Sequence, residues 1–193
     1  MNKNFILEIY KEPQTIFTLK EISLLFPQVP YKNLKSRVSY FVSVGKLKRL
    51  RKGIYAKEDF DLLELANKIY TPSYISLETV LEQGGIIFQK YQTIFVVSYL
   101  TRRIKVGGQE IFYRKIKDEI LLNNLGIEEE NSYFIACKER AFLDAVFLYK
   151  NYHFDNLKPL DWEKIKEIEK IYSSKVLMKR VAQYYKIYKQ DYA

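Results

Sequence analysis

The sequence predicts an α+β chain: an N-terminal unit of three helices and a basic hairpin over residues 1–58, followed by a larger mixed α/β domain over residues 59–193. Three observations predict it. Apolar residues recur with helical period in some stretches and alternate in others, so both element types are needed. The first third closes on a short alternating segment folded about one glycine, which reads as a hairpin. Charge is also split unevenly. Residues 1–58 hold 12 Lys and Arg against 4 Asp and Glu, whereas the other 135 residues hold 20 against 19, so nearly all of the net charge of +9 sits in the first unit.

The elements of the first unit follow in order. Residues 2–11 place Phe5, Ile6, Ile9 and Tyr10 on one helical face, and Glu12-Pro13 stops the helix. Thr18-Leu19-Lys20-Glu21 has the spacing of a capping box, so a second helix starts at Leu19; Leu19, Ile22 and Phe26 line its apolar side, and Pro27-Gln28-Val29-Pro30 ends it. Residues 31–44 carry a buried stripe of Leu34, Val38, Phe41 and Val42. The opposite face is polar: Lys32, Ser36, Ser39 and Ser43, flanked by Tyr31, Asn33, Lys35, Arg37 and Tyr40.

After Gly45, residues 46–56 alternate apolar Leu47, Leu50, Ile54 and Ala56 with basic Lys46, Lys48, Arg49, Arg51 and Lys52, and Tyr55 is placed with the basic set. Three helices followed by such a wing make a winged helix-turn-helix. Lysine and arginine reach phosphates and guanine edges, asparagine pairs with adenine, and serine and tyrosine donate to phosphate oxygens. The polar face of the third helix and the wing are therefore the expected surface for double-stranded DNA.

The second unit begins after a hinge at 58–62. Leu62, Leu65, Ala66 and Ile69 mark a helix ended by Thr71-Pro72, and a helix led by Ser76 as N-cap runs to Gly84-Gly85. Residues 93–100 read as a strand, and 103–106 with 109–116 as a hairpin about Gly107-Gly108; that glycine pair lacks the lysine, serine and helix of a phosphate loop. Residues 132–136 read as a strand and 138–150 as a helix burying Phe142, Ala145, Val146 and Tyr149. Two last helices use Ile165, Ile168 and Tyr172, then Leu177, Val181, Tyr184 and Tyr188.

The order of these motifs resembles the AbiEi antitoxins, the antitoxin half of bacterial abortive-infection (AbiE) type IV toxin-antitoxin systems. The likeness rests on Gly45-Lys46-Leu47 through Arg51-Lys52-Gly53-Ile54-Tyr55-Ala56, on Pro72-Ser73-Tyr74-Ile75-Ser76-Leu77-Glu78, and on Ala136-Cys137-Lys138-Glu139-Arg140-Ala141-Phe142-Leu143-Asp144. It departs from the family at Cys137 and Phe142, where a small or polar residue and a leucine are usual, and the helices from Asp161 onward lie outside it. The resemblance implies a transcriptional repressor of its own operon that binds inverted repeats and counteracts a nucleotidyltransferase-like toxin, with or without direct contact. It also singles out Ser76, Glu78, Glu139, Arg140 and Asp144 as a motif of the antitoxin domain, although Arg140 and Asp144 at i, i+4 also make an ordinary helix ion pair.

Catalysis, metals and cofactors are not expected. Cys137 reads as a small buried hydrophobe, His153 as a loop residue, and Glu128-Glu129-Glu130 as a solvated loop. One cysteine and one histidine leave too few ligands for a zinc site and exclude an internal disulfide, which fits a reducing cytoplasm. Lys3, Glu8, Lys11 and Glu12 interrupt the N-terminus, and no 18-residue apolar run is present, so neither a signal peptide nor a membrane partner is expected. Two alternatives remain at this point: a metal-dependent nuclease using Glu78, Glu139 and Asp144, and a winged-helix transcription factor whose second domain senses a small ligand.

Overall fold

The computed structural model describes residues 2–192, and their side chains over residues 5–191, so the side chain of Lys3 lies outside it. The fold is mixed α+β, with two sheets among the described residues.

The first 56 residues run α1 (Asn2–Lys11), β1 (Ile16–Thr18), α2 (Leu19–Leu25), α3 (Tyr31–Ser43), β2 (Lys48–Arg51) and β3 (Ile54–Ala56). The sheet is antiparallel in the order β1-β3-β2. Its first strand is only three residues long and was not expected. The capping box forms as the sequence predicts: Glu21 N donates to Thr18 Oγ1 at 3.2 Å and Thr18 N to Glu21 Oε2 at 2.6 Å. α3 ends in a Schellman turn, in which Gly45 takes φ +71° while Gly45 N donates to Val42 O (3.1 Å) and Lys46 N to Phe41 O (2.9 Å).

Each face of the small sheet has its own core. Phe17 and Tyr55 join Phe5, Ile9, Ile22, Leu34, Val38 and Phe41 beneath the helices, whereas Ile16, Ile54 and Ala56 meet Leu65 on the other side. Strand alternation causes this division, because successive side chains point to opposite faces.

Leu65 belongs to α4 (Leu62–Ile69), the first element of the second unit. The chain continues through β4 (Ser73–Ile75), α5 (Glu78–Gln83), β5 (Ile94–Ser98), β6 (Arg102–Val106), β7 (Gln109–Lys115), α6 (Asp118–Leu121), β8 (Ile127–Glu130) and β9 (Tyr133–Ala136). It closes with α7 (Lys138–Leu148), α8 (Trp162–Ile168), a 3-10 turn (Glu169–Tyr172) and α9 (Lys175–Tyr192). The strands form a six-stranded sheet, β6-β7-β5-β4-β9-β8, parallel at β5/β7 and β4/β9 and antiparallel elsewhere. Gly107 and Gly108 both adopt positive φ (61° and 83°) and close the β6–β7 hairpin, which is why a glycine pair stands there.

The segment expected to be a hinge is pinned. Asp61 caps α4 through Leu63 N (2.6 Å), and its own amide donates to Thr15 Oγ1 (2.9 Å). One turn on, the buried Glu64 carboxylate accepts from Thr15 N (2.8 Å), Thr15 Oγ1 (2.6 Å) and Ile16 N (3.0 Å). Lys68 completes the joint, reaching Ile16 O (3.0 Å) and Glu21 (3.0 Å). The edge amides and a carboxylate of the first unit are thus satisfied by a helix of the second.

Two further expectations are corrected. Ser76 does not cap α5; Leu77 occupies that position at φ +55° with no side-chain cap bond, because the Ser76 hydroxyl is turned into the core. Glu128-Glu129-Glu130 is not a loop but part of edge strand β8, with all three residues exposed.

Candidate nucleic-acid interface

The amphipathic pattern of α3 orients its polar face outward. Leu34, Val38 and Phe41 are buried, while Tyr31, Lys32, Asn33, Lys35, Ser36, Ser39 and Tyr40 are exposed and Arg37 is half-buried. The exposed face is partly ordered by its own contacts: Lys35 Nζ lies 4.9 Å above the Tyr31 ring, Arg37 lies 5.9 Å from Phe5, and Ser43 Oγ bonds back to Tyr40 O.

On the hairpin, Lys46, Lys48, Arg49, Arg51 and Lys52 are exposed, and they do not all face one way. Arg49 stands opposite Tyr55 in the β2–β3 register and so shares the face of the helical core. Lys48 stands opposite Ala56, and Arg51 opposite Ile54, on the face toward α4. Their contacts agree: Lys48 Nζ donates to Glu58 O (2.8 Å), and Arg51 lies 5.5 Å from the Tyr70 ring. Tyr55 is a correction, since its side chain is only 8% exposed and belongs to the core rather than to the basic surface.

Lys32, Lys35, Arg37, Lys46, Lys48, Arg49, Arg51 and Lys52 share one property. Among the described residues, no Asp or Glu forms an ion pair with any of them; most Lys and Arg elsewhere are likewise unpaired, and what sets these eight apart is that they gather on one helix and the hairpin that follows it. Like charges gathered without counter-charge raise the local positive potential and favour a polyanion.

The residues singled out in the second unit lie elsewhere, and all are buried. Asp144 on α7 accepts from Ser76 Oγ (2.8 Å), Tyr172 OH (2.7 Å) and Tyr74 OH (3.2 Å) and lies 3.6 Å from Arg140 Nε. Arg140 donates to Tyr74 OH (3.1 Å) and to the carbonyls of Ile120 (2.7 Å) and Leu125 (2.8 Å), so it ties α7 to the segment around α6. Burial works against both charges. It pushes the Asp144 carboxyl up against the pull of Arg140 and the hydroxyls, while Asp144 and the two phenols outweigh it at Arg140 and keep the guanidinium protonated.

Glu78 and Glu139 have separate partners. Tyr149 OH bonds both oxygens of Glu78 (3.0 and 3.3 Å), and Glu139 accepts from Asp161 N (3.1 Å) and lies 3.8 Å from Lys164 Nζ. Glu78, Glu139 and Asp144 are therefore not brought together, and no group of three His, Cys, Asp or Glu among the described residues could hold a metal ion. Cys137 is half-buried and burial pushes its thiol up; His153 is exposed. Sequence reasoning missed Glu64, Lys68, Tyr74 and Tyr172, whose roles depend on partners distant in the chain.

No helix among the described residues is long and apolar enough to cross a membrane. The chain matches no protein-family model and no curated protein.

Proposed function

We propose that this chain is a DNA-binding transcriptional repressor of the AbiEi antitoxin type, with residues 1–58 as a winged helix-turn-helix and the remainder as the antitoxin domain. The observation that carries the DNA-binding reading is the set of eight cations on α3 and the β2–β3 hairpin that lack acidic partners among the described residues. Phosphate neutralisation with counterion release is the general driving force for such a surface. The element order α1-β1-α2-α3-β2-β3 supports the same reading. It leaves the polar face of a helix exposed after a short turn and adds a hairpin whose Arg49 shares the helical side.

The antitoxin part of the proposal rests on the resemblance, and one structural feature supports it. Two of the segments that carry it, Pro72 to Glu78 and Ala136 to Asp144, are separated in sequence but joined in the core by the Ser76–Asp144 bond. The partners that follow are operator DNA with inverted repeats and a nucleotidyltransferase-like toxin. The test has two parts: a gel shift on the promoter fragment upstream of the gene, and co-expression with an adjacent nucleotidyltransferase-like reading frame. Specific retardation together with rescue of growth is expected. A chain that neither retards its promoter fragment nor restores growth contradicts the proposal.

A further inference from the structure

Far from the α3 and hairpin surface in sequence, the loop after α5 and the segment after α7 line an open-sided cavity of about 350 Å³. Three aromatic rings wall it: Phe88, Tyr91 and Tyr152. Asp155 adds a carboxylate whose Oδ1 lies 3.6 Å from His153 Nε2, and Gln89 lies on the rim beside them. Phe88 is 67% exposed and Tyr91 37%, so large apolar ring surface stands open to water.

The walls are held in place. Tyr152 stacks on Tyr149 with ring centroids 5.2 Å apart, Tyr149 is anchored to Glu78, and Tyr91 meets Phe95 edge-on at 5.4 Å. Asp155 Oδ2 accepts from Phe88 N (2.8 Å), and Asp155 N donates to Ile86 O (3.0 Å), so the two loops are fastened to one another. This is a preformed cavity rather than a gap between mobile chains.

Its electrostatics run against those of the whole protein. The chain carries +9, yet no Lys or Arg lines this cavity among the described residues. Burial first, and then the charges of Glu78 and Asp155, push the Tyr91 phenol up; burial, Glu78, the neighbouring Tyr91 and Tyr149 hydroxyls and Asp155 push the Tyr152 phenol up. Arg114 stands near Glu78 but is stacked on Phe112 and Tyr149, outside the lining.

We infer that this cavity binds a small free organic cation, of the alkylated-ammonium class, with its charge among the Phe88, Tyr91 and Tyr152 rings and beside the Asp155 carboxylate. Aromatic faces carry negative quadrupole potential, and a cation sheathed in methyl groups gains both that attraction and apolar burial. The volume suits a compact head group, at the lower end of small-molecule sites.

The probe is choline, titrated calorimetrically into the full-length protein beside its neutral carbon isostere, 3,3-dimethylbutanol. Choline is expected to bind at least roughly tenfold more tightly than the isostere, since only it carries the charge. Phe88→Leu, at an exposed position, and Asp155→Asn, which keeps an oxygen for Phe88 N, should each weaken choline binding severalfold while the thermal transition stays in place. No choline binding, equal binding of the neutral isostere, or unchanged affinity in both variants would each overturn the assignment.

Discussion

Ser76 Oγ donates to Asp144 Oδ2 across 2.8 Å, 68 positions apart in the chain and with both side chains fully buried. This bond spans the centre of the second unit, from the end of β4 to the middle of α7. Around it the Tyr74 and Tyr172 hydroxyls donate to the same carboxylate, and the Arg140 guanidinium pairs with it electrostatically, its Nε 3.6 Å away. Ser76, Arg140 and Asp144 are thus tied together inside the core, whereas Glu78 and Glu139 bond elsewhere.

Removing Asp144 leaves the Arg140 guanidinium buried without its counter-charge. Asp144→Ala is expected to destabilise the protein by about 3–5 kcal/mol, the usual cost of breaking one half of a buried ion pair. Ser76→Ala, which removes one neutral donor, should cost about 1–3 kcal/mol. Urea denaturation followed by circular dichroism measures both, and a loss below about 1 kcal/mol for Asp144→Ala would contradict the buried network.

The joint between the units makes a separate prediction. Glu64→Ala strips the partner from Thr15 N, Thr15 Oγ1 and Ile16 N and leaves Lys68 with one carboxylate fewer. Limited proteolysis should then cut within residues 57–62 far faster than in the wild type, because the attachment of that segment depends on these bonds. Equal cleavage rates would show that the remaining contacts, the bonds of Asp61 and Lys68 together with the apolar packing of Ile16, Ile54 and Ala56 against Leu65, hold the joint without Glu64.

Glu78 predicts an unusual pH dependence. Burial pushes its carboxyl up from the ordinary 4.5, with its own amide, the Tyr149 hydroxyl and Arg114 opposing in part. A carboxyl raised on folding keeps a proton that the unfolded chain has released. Its contribution to stability is therefore full below about 4.5 and is lost as pH rises through the folded value. Glu78→Gln, a permanent stand-in for the protonated form, should flatten this fall. Denaturation midpoints measured from pH 4 to 8 in both proteins test it, and Asp144, shifted the same way by burial, cancels in the difference. Parallel curves would contradict it.

The hairpin cations should not be equivalent. Arg49 lies on the helical side, whereas Lys48 and Arg51 lean on Glu58 O and Tyr70. Arg49→Ala is expected to weaken DNA binding and to lower the salt slope by about 0.9, as loss of one phosphate contact does. Lys48→Ala should change the slope by less than half of that. A larger effect from Lys48→Ala in salt-dependent anisotropy would reverse the assignment of faces.

Local signals in the sequence were the legible ones. Thr18 and Glu21 are three residues apart, Gly107 and Gly108 adjacent, and the α3 stripe repeats within 13 residues, so each is set by near neighbours. The burial of Arg140 and Glu64 was not legible, because either side chain on an amphipathic helix ordinarily faces water and, although each has an ion-pair partner four residues on, their hydrogen-bond partners lie 15 to 66 and 48 to 49 positions away. Ser76 has the composition of a cap, but a distant carboxylate outcompetes the local amides for its hydroxyl. Strand β8 shows no apolar alternation, since it pairs on one side only, with β9, and its three glutamates are exposed on both faces at the sheet edge.

Binding of duplex DNA is proposed to use α3 and the β2–β3 hairpin together. Its most direct test is fluorescence anisotropy with the promoter duplex across a salt series, comparing wild type with Lys32→Ala/Lys35→Ala/Arg49→Ala/Lys52→Ala. These side chains are exposed and unpaired with acids, so the variant should fold normally. Steep salt dependence is expected for the wild type, with a slope lower by about 3–4 in the variant, roughly 0.9 for each lost phosphate contact. A wild-type slope near zero, or a variant that binds like the wild type, would contradict it.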